Sequence, residues 1–296
     1  MAHKTLVNGT AYEVSGGRTF VNGTGYDIKS GRTLMNGTGY DISLFKPLSL
    51  NDTSWAQIRE ISDSGQAANY WSVGDRKAVT LNGTVGIQSL SGTYYCYIIG
   101  FDHNSDIEGT NRIHFQFGYS ALNDGVSIAF IDSNYYKEIK GESFNINQTN
   151  SNTGGWKSSY MRNTLCPQFK NAMSSDLQAV LKTITKYTDN TGGKNTADSY
   201  VTATTDTVFL LAEYEVLGLI NRANSAEGNY QAQYVWYSAG NSRVKYAHND
   251  AATAVRWWTR STKSSNRYSW TAIKDTGEST YFNSYASLGF APAFCV

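Results

Sequence analysis

The chain has 296 residues, 40 % of them hydrophobic, enough for about two domains of ordinary size with a sizeable core. Its 25 basic and 24 acidic residues leave a formal charge of +1, which gives no electrostatic footprint for nucleic acid or an anionic membrane. No apolar run reaches the roughly 18 residues that a membrane-spanning helix needs, and the opening MAHKTLVNGTAYEV lacks the apolar stretch of a secretory signal.

Residues 4–43 repeat with a period of 14: KTLVNGTAYEVSGG, RTFVNGTGYDIKSG, RTLMNGTGYDIS. Each copy sets Asn-Gly between two β-rich stretches, the sequence of a hairpin whose two-residue turn needs positive φ. A turn at Asn8-Gly9 puts Lys4 opposite Glu13. The same register puts Arg18 opposite Asp27 and Arg32 opposite Asp41, so an opposite-charge pair recurs in every copy. Phe20 and Leu34 then cover Gly25 and Gly39. A lone hairpin is marginal in water, so the module is expected to oligomerise, as a thin homotrimeric stalk or attachment module. The alternative is a meander packed on its own C-terminal domain.

The predicted organisation is therefore 1–43 as hairpin repeats, 44–52 as a connector carrying Pro47, and 53–296 as one large domain. Asn51-Asp52-Thr53 supplies cap residues for a helix over WAQIREIS, with Trp55, Ile58 and Ile61 on one face. A strand follows in KAVTL, with a turn expected at Asn82-Gly83, and YYCYIIGF and the segment 112–117 read as strands. KSSYMRNTL reads as a helix and Pro167 opens a second. Ser174-Ser175-Asp176 caps a third over LQAVLKTITKYT. TDTVFLLAEYEVLG reads as a strand and a short helix, and strands with long polar loops fill the rest.

These segments carry a resemblance. W-A-Q-I, Y-W-S-V-G-D-R-K-A-V-T-L-N-G, I-I-G-F-D-H, G-G-W-K-S-S-Y-M-R, D-T-V-F-L-L-A-E-Y-E-V-L-G, R-W-W-T-R-S and G-F-A-P-A-F-C-V follow in order from Trp55 to Val296. Together they resemble a domain-of-unknown-function family widespread in phages and surface proteins of Firmicutes, where short repeats often precede the domain. The resemblance implies an α+β chain with a C-type-lectin-like C-terminal domain, by way of Trp257 to Ser261 and the terminal G-F-A-P-A-F. It also implies a virion location, with the N-terminal repeats attaching the chain to other virion proteins.

Catalytic signatures are thin. GxSxG, HExxH, a phosphate-cradling glycine loop and GxGxxG are all absent from the sequence. His3, His103, His114 and His248 show no metal or triad spacing. Cys96, Cys166 and Cys295 read as buried thiols without an evident activating partner. Glu213 and Glu215 are expected to pair with Arg162, Arg256 or Arg260 in the core rather than to form a hydrolase pair. Asp102, Asn104 and Asp106 offer alternate oxygen ligands, a weak calcium candidate out of register with an EF-hand.

The expected activity is therefore binding, not catalysis. The 21 Tyr, 7 Trp and 27 Gly against 17 % charged residues match the chemistry of recognition loops. The candidate ligand face is Arg267, Tyr268, Trp270, Tyr281, Asn283 and Tyr285, with the alternative that some of these rings, Trp270 first, pack the core. The expected role is receptor binding by a tail-associated virion protein that holds a host-surface protein or glycan. A structural decoration of capsid or tail is the alternative, and a glycan or cell-wall hydrolase the third reading.

Overall fold

The computed structural model describes residues 49–194 and 196–296. The hairpin repeats expected over 1–43, their register and the connector before residue 49 lie outside the described residues.

Helix α1 (Trp55–Asp63) starts at Trp55 as expected, but its cap is Ser54 and not Asn51-Asp52-Thr53: Ser54 accepts from the Gln57 N–H and the Gln57 side-chain oxygen accepts from the Ser54 N–H. Trp55 and Ile58 are buried, and α2 (Ala67–Tyr70) follows. Strands β1 (Arg76–Val85) and β2 (Gln88–Phe101) form a long hairpin. The turn expected at Asn82-Gly83 is corrected here. Both residues lie inside β1, opposite Ser91 and Leu90, and the chain reverses at Gly86-Ile87. Gly86 takes the positive φ (+59°) of a two-residue hairpin loop. Gly83 is needed for space, because a Cβ there would lie 2.8 Å from the Cβ of Ala172.

A short helix α3 (Ser105–Glu108) leads to β3 (Ile113–Tyr119), buried along its whole length, and to β4 (Ile128–Ala129). The helix expected over KSSYMRNTL is divided into α4 (Gly155–Ser158) and a π-turn over Met161–Leu165. Pro167 opens α5 (Cys166–Ala172) as expected. The third predicted helix is cut short. Only α6 (Ser175–Val180) forms, and the following residues make β5 (Ile184–Asp189), paired antiparallel with β6 (Val201–Asp206). Ile184, Lys186 and Thr188 alternate inward with a period of two, so tertiary pairing overrides the helical reading of ITKYT.

The remaining elements are β7 (Val208–Phe209), α7 (Glu213–Leu217), α8 (Val235–Ser238), β8 (Lys245–Ala247), β9 (Asp250–Val255), β10 (Trp257–Thr262), β11 (Ser269–Ile273), β12 (Ser279–Asn283) and β13 (Ala293–Cys295). The largest sheet is antiparallel, in the order β7-β13-β3-β2-β1, and curls like half a barrel. Its C-terminal strand β13 is inserted between β7 and β3. Separate sheets join β4-β8-β9 and β10-β11-β12. The fold is thus mixed α/β and mostly strand.

An aromatic core fills the curl. Phe294 stacks on Phe115 at 5.2 Å, Trp55 meets Phe115 edge-on at 5.7 Å, and Phe169 stands edge-on to Phe117 at 5.0 Å and Phe290 at 5.3 Å. Each buried ring stabilises the fold by roughly 1.5–3 kcal/mol. Among the described residues no helix is long and apolar enough to cross a membrane.

Candidate functional site

Polar chemistry collects in two places, one enclosed and one open. The enclosed one begins with the alternation of β5, which aims Lys186 inward. Asp102 and Asn104 hold positive φ before α3, and that helix delivers Glu108 to the same point. His114 comes from β3, Glu215 from α7, Arg260 from β10, and Tyr234 from the turn before α8.

The Lys186 Nζ donates to both Glu108 oxygens at 2.8 Å, to Glu215 Oε1 at 2.9 Å and to the Tyr234 hydroxyl at 2.9 Å. Arg260 grips the other side of Glu215 with both terminal nitrogens, and its Nε donates to Thr188 at 2.9 Å. The side chains of Lys186, Glu215 and Arg260 are wholly buried. Burial works to raise the Glu215 carboxyl, but Arg260 and Lys186 outweigh it and hold the group well below the usual carboxylate range. The Glu108 carboxyl is pushed up by burial. His103 lies flat on the Tyr234 ring at 3.6 Å and is pushed down to about 3, by burial first and by the Lys186 charge second.

Two reactive-looking sets occur in this cluster. His103, Glu108 and Glu215 bring three potential ligand atoms within 4.8 Å of one another. The Lys186 ammonium already takes the cation's position between the two carboxylates, so the set is completed by a side chain. Cys295 Sγ lies 3.3 Å from His114 Nδ1, an activating partner that sequence spacing did not reveal. Burial nevertheless pushes the thiol up to about 12, which keeps it protonated. All three cysteines are free and buried, as expected. Of the expected Glu–Arg pairs, Glu215 takes Arg260, whereas Arg162 pairs with Asp206 at 2.6 Å. Glu213 accepts from the main-chain N–H groups of Arg222 and Ala223 and from the Ser279 hydroxyl.

The open place is the loop edge beside β10, β11 and β12. Asn152, fully buried, builds it: its amide donates to the main-chain oxygens of Asn266 at 2.7 Å and Ser269 at 2.9 Å, and its carbonyl accepts from Gly193 N at 2.8 Å. The turn between β10 and β11 is thereby tied to the loop after β5. Ser264 anchors the same turn to Arg222 through that residue's main-chain oxygen. On this edge Tyr281 is 41 % exposed, with Lys263 Nζ 3.6 Å and the Arg222 guanidinium 5.1 Å from its ring centre. Tyr268 is 40 % exposed, and Arg267 donates to its hydroxyl at 2.9 Å.

The residues singled out from sequence divide accordingly. Arg267, Tyr268 and Tyr281 are exposed on the loop edge. Asn283, half-buried, is held by Glu138 at 3.0 Å, and Tyr285 is half-buried. Trp270 is fully buried opposite Phe282, so it packs the core and is not an open contact. Asp102 accepts from the Arg112 N–H at 2.8 Å and Asn104 donates to the Tyr230 carbonyl at 2.8 Å, so two of the three calcium candidates already serve the loop's own structure. Lys194, Arg222 and Lys263 were missed, because they come from three separate loops with no shared period.

The molecule is a strand-rich α/β protein with a neutralised ionic core and a basic, aromatic loop edge. Residues 128–296, more than half of the chain, match the family described as a domain of unknown function, DUF6273, and the chain belongs to that family. The match begins inside the fold, since β1, β2 and β3 of the largest sheet all precede it. Comparison with curated proteins gives no match, and neither does comparison with solved structures.

Proposed function

We propose that this chain is a non-catalytic recognition module, the receptor-binding protein of a bacteriophage virion, in which a C-type-lectin-like domain holds a host-surface protein or glycan. The observation that carries the reading is the exposed Tyr281 ring flanked by Lys263 and Arg222 on loops anchored by buried side chains. A rigid aromatic among adaptable polar groups on a fixed scaffold is what recognition surfaces use. The enclosed cluster supports the same reading from the other side, because it is buried, its carboxylates are already bound by Lys186 and Arg260, and its thiol is against His114. In this proposal the N-terminal repeats attach the chain to other virion proteins as a homotrimer.

The test is binding of the labelled full-length chain to a panel of Gram-positive cells. Saturable binding that Tyr281→Ala weakens at least about tenfold, a loss of some 1.4 kcal/mol, supports the proposal. Absence of saturable binding across the panel counts against it and favours a structural decoration.

A further inference from the structure

Between the turn joining β10 to β11 and the loop after β5 runs a groove of about 610 Å³, lined by Gly193, Lys194, Ser265, Asn266, Arg267 and Tyr268. Two of the six are cations, one is an exposed aromatic and two are small polar side chains. None of these lining residues is acidic. Lys263 and Arg222 add two more cations around Tyr281, on the same turn and on the loop hydrogen-bonded to it. Lys194 and Arg267 thus line the groove with Tyr268, and Lys263 and Arg222 flank Tyr281 on segments tied to the same turn. The groove floor is also built rather than incidental. Asn152 N donates to the Arg267 carbonyl at 2.9 Å, and its side chain fixes Asn266, Ser269 and Gly193.

We infer that this groove takes an anionic glycopolymer, with phosphate or carboxylate groups held by Lys194 and Arg267 and a sugar or polyol unit laid against Tyr268. A guanidinium presents a fork of donors that suits planar or tetrahedral oxyanions, and an ammonium adds a point charge. A tyrosine ring supplies apolar area for C–H surfaces of a polyol at small entropic loss, while Ser265 and Asn266 supply hydroxyl-directed hydrogen bonds. A neutral glycan would offer the two cations no counter-charge. A single-stranded nucleic acid would ask for a longer basic track with successive rings for its bases. The inference rests on the recognition reading only in taking this edge as the ligand face.

The experiment measures binding of the full-length chain to four probes: poly(glycerol phosphate), hyaluronan oligosaccharide, dextran and oligothymidine. Binding to either anionic glycopolymer, screened as salt is raised from roughly 0.05 to 0.5 M, is expected, with dextran bound at least about tenfold more weakly. The two anionic arms tell phosphate from carboxylate. Lys194→Gln/Arg267→Gln should weaken that binding at least about tenfold, and Tyr268→Ala several-fold, with unchanged melting curves showing that each variant is folded. Dextran or oligothymidine bound as tightly as the anionic glycopolymers, no binding to either anionic probe, or folded variants that bind like the parent would each overturn the inference. The two proposals fail separately. Cell binding that neither anionic polymer competes with overturns this inference and leaves the receptor reading intact. Polymer binding without cell binding does the reverse.

Discussion

The Lys186 ammonium stands 2.8 Å from both carboxylate oxygens of Glu108, and neither side chain has access to solvent worth the name. A buried ion pair is expensive to form and more expensive to leave half-made. Lys186→Met is therefore expected to cost about 3–5 kcal/mol at pH 8, where Glu108 is left without its main partner. Lys186→Met/Glu108→Gln should be more stable than the single variant at pH 8, and the two should converge near pH 5 as Glu108 takes up a proton. Urea unfolding at both pH values measures this; a double variant less stable than the single at pH 8 would contradict it.

Glu227 gives a pH dependence of known sign. Burial raises its carboxyl from 4.5 to about 7, against the Asp189 N–H and the Ser261 hydroxyl, which both donate to it. The folded protein thus keeps a proton that the unfolded chain releases near 4.5. That contribution is complete below 4.5 and is lost as pH rises through 7. Relative to Glu227→Gln, the parent should lose up to about 3 kcal/mol of stability between pH 4.5 and pH 8. Denaturant midpoints of the two proteins across that range check it, and a constant difference would contradict it. His103 has the opposite sign: its folded value of about 3 gives stability that is present above 6.5 and lost as pH falls.

Trp270 and Tyr281 both stood among the candidate ligand contacts in the sequence, with Trp270 the first alternative for the core, and the structure buries Trp270 fully while leaving Tyr281 41 % exposed. Trp270→Ala is expected to cost about 3–5 kcal/mol. Tyr281→Ala should change stability by only about 0.5 kcal/mol. Thermal melts of both variants decide the point, and equal losses would mean that Tyr281 is structural.

Calcium provides a further check. With Asp102 and Asn104 engaged by Arg112 and Tyr230, millimolar calcium should leave the melting temperature of the full-length chain unchanged. A midpoint that climbs with calcium concentration would show a bound ion, since a ligand of the folded state stabilises by mass action.

What could be read from the sequence follows from locality. The strand YYCYIIGF, the helix start at Pro167 and the strand-then-helix at TDTVFLLAEYEVLG declare themselves through length, β-propensity and turn residues, and they stand where expected. ITKYT was misread because a capped helix runs directly into a strand whose partner, β6, lies a dozen residues further on. That one misreading concealed Lys186 and its bonds to Glu108 and Glu215, although the Glu215–Arg260 pair was expected. The Asn82-Gly83 turn failed for a different reason: its glycine answers to the approach of α5, a long-range contact that no local motif encodes. Arg267, Tyr268 and Tyr281 were legible from loop composition. Lys194, Arg222 and Asn152 were not, because only the fold brings their loops together.

In the proposed function the enclosed cluster holds the fold while the loop edge does the binding. The most direct test scores cell binding per folded molecule for two variants of the full-length chain. Glu108→Gln should unfold at a lower denaturant concentration yet bind normally while folded. Tyr268→Ala/Tyr281→Ala should melt like the parent and lose at least about tenfold in affinity. The reverse pattern, with binding lost in the stable edge variant's counterpart at Glu108 and kept in the edge variant itself, would contradict the account and place the function in the core.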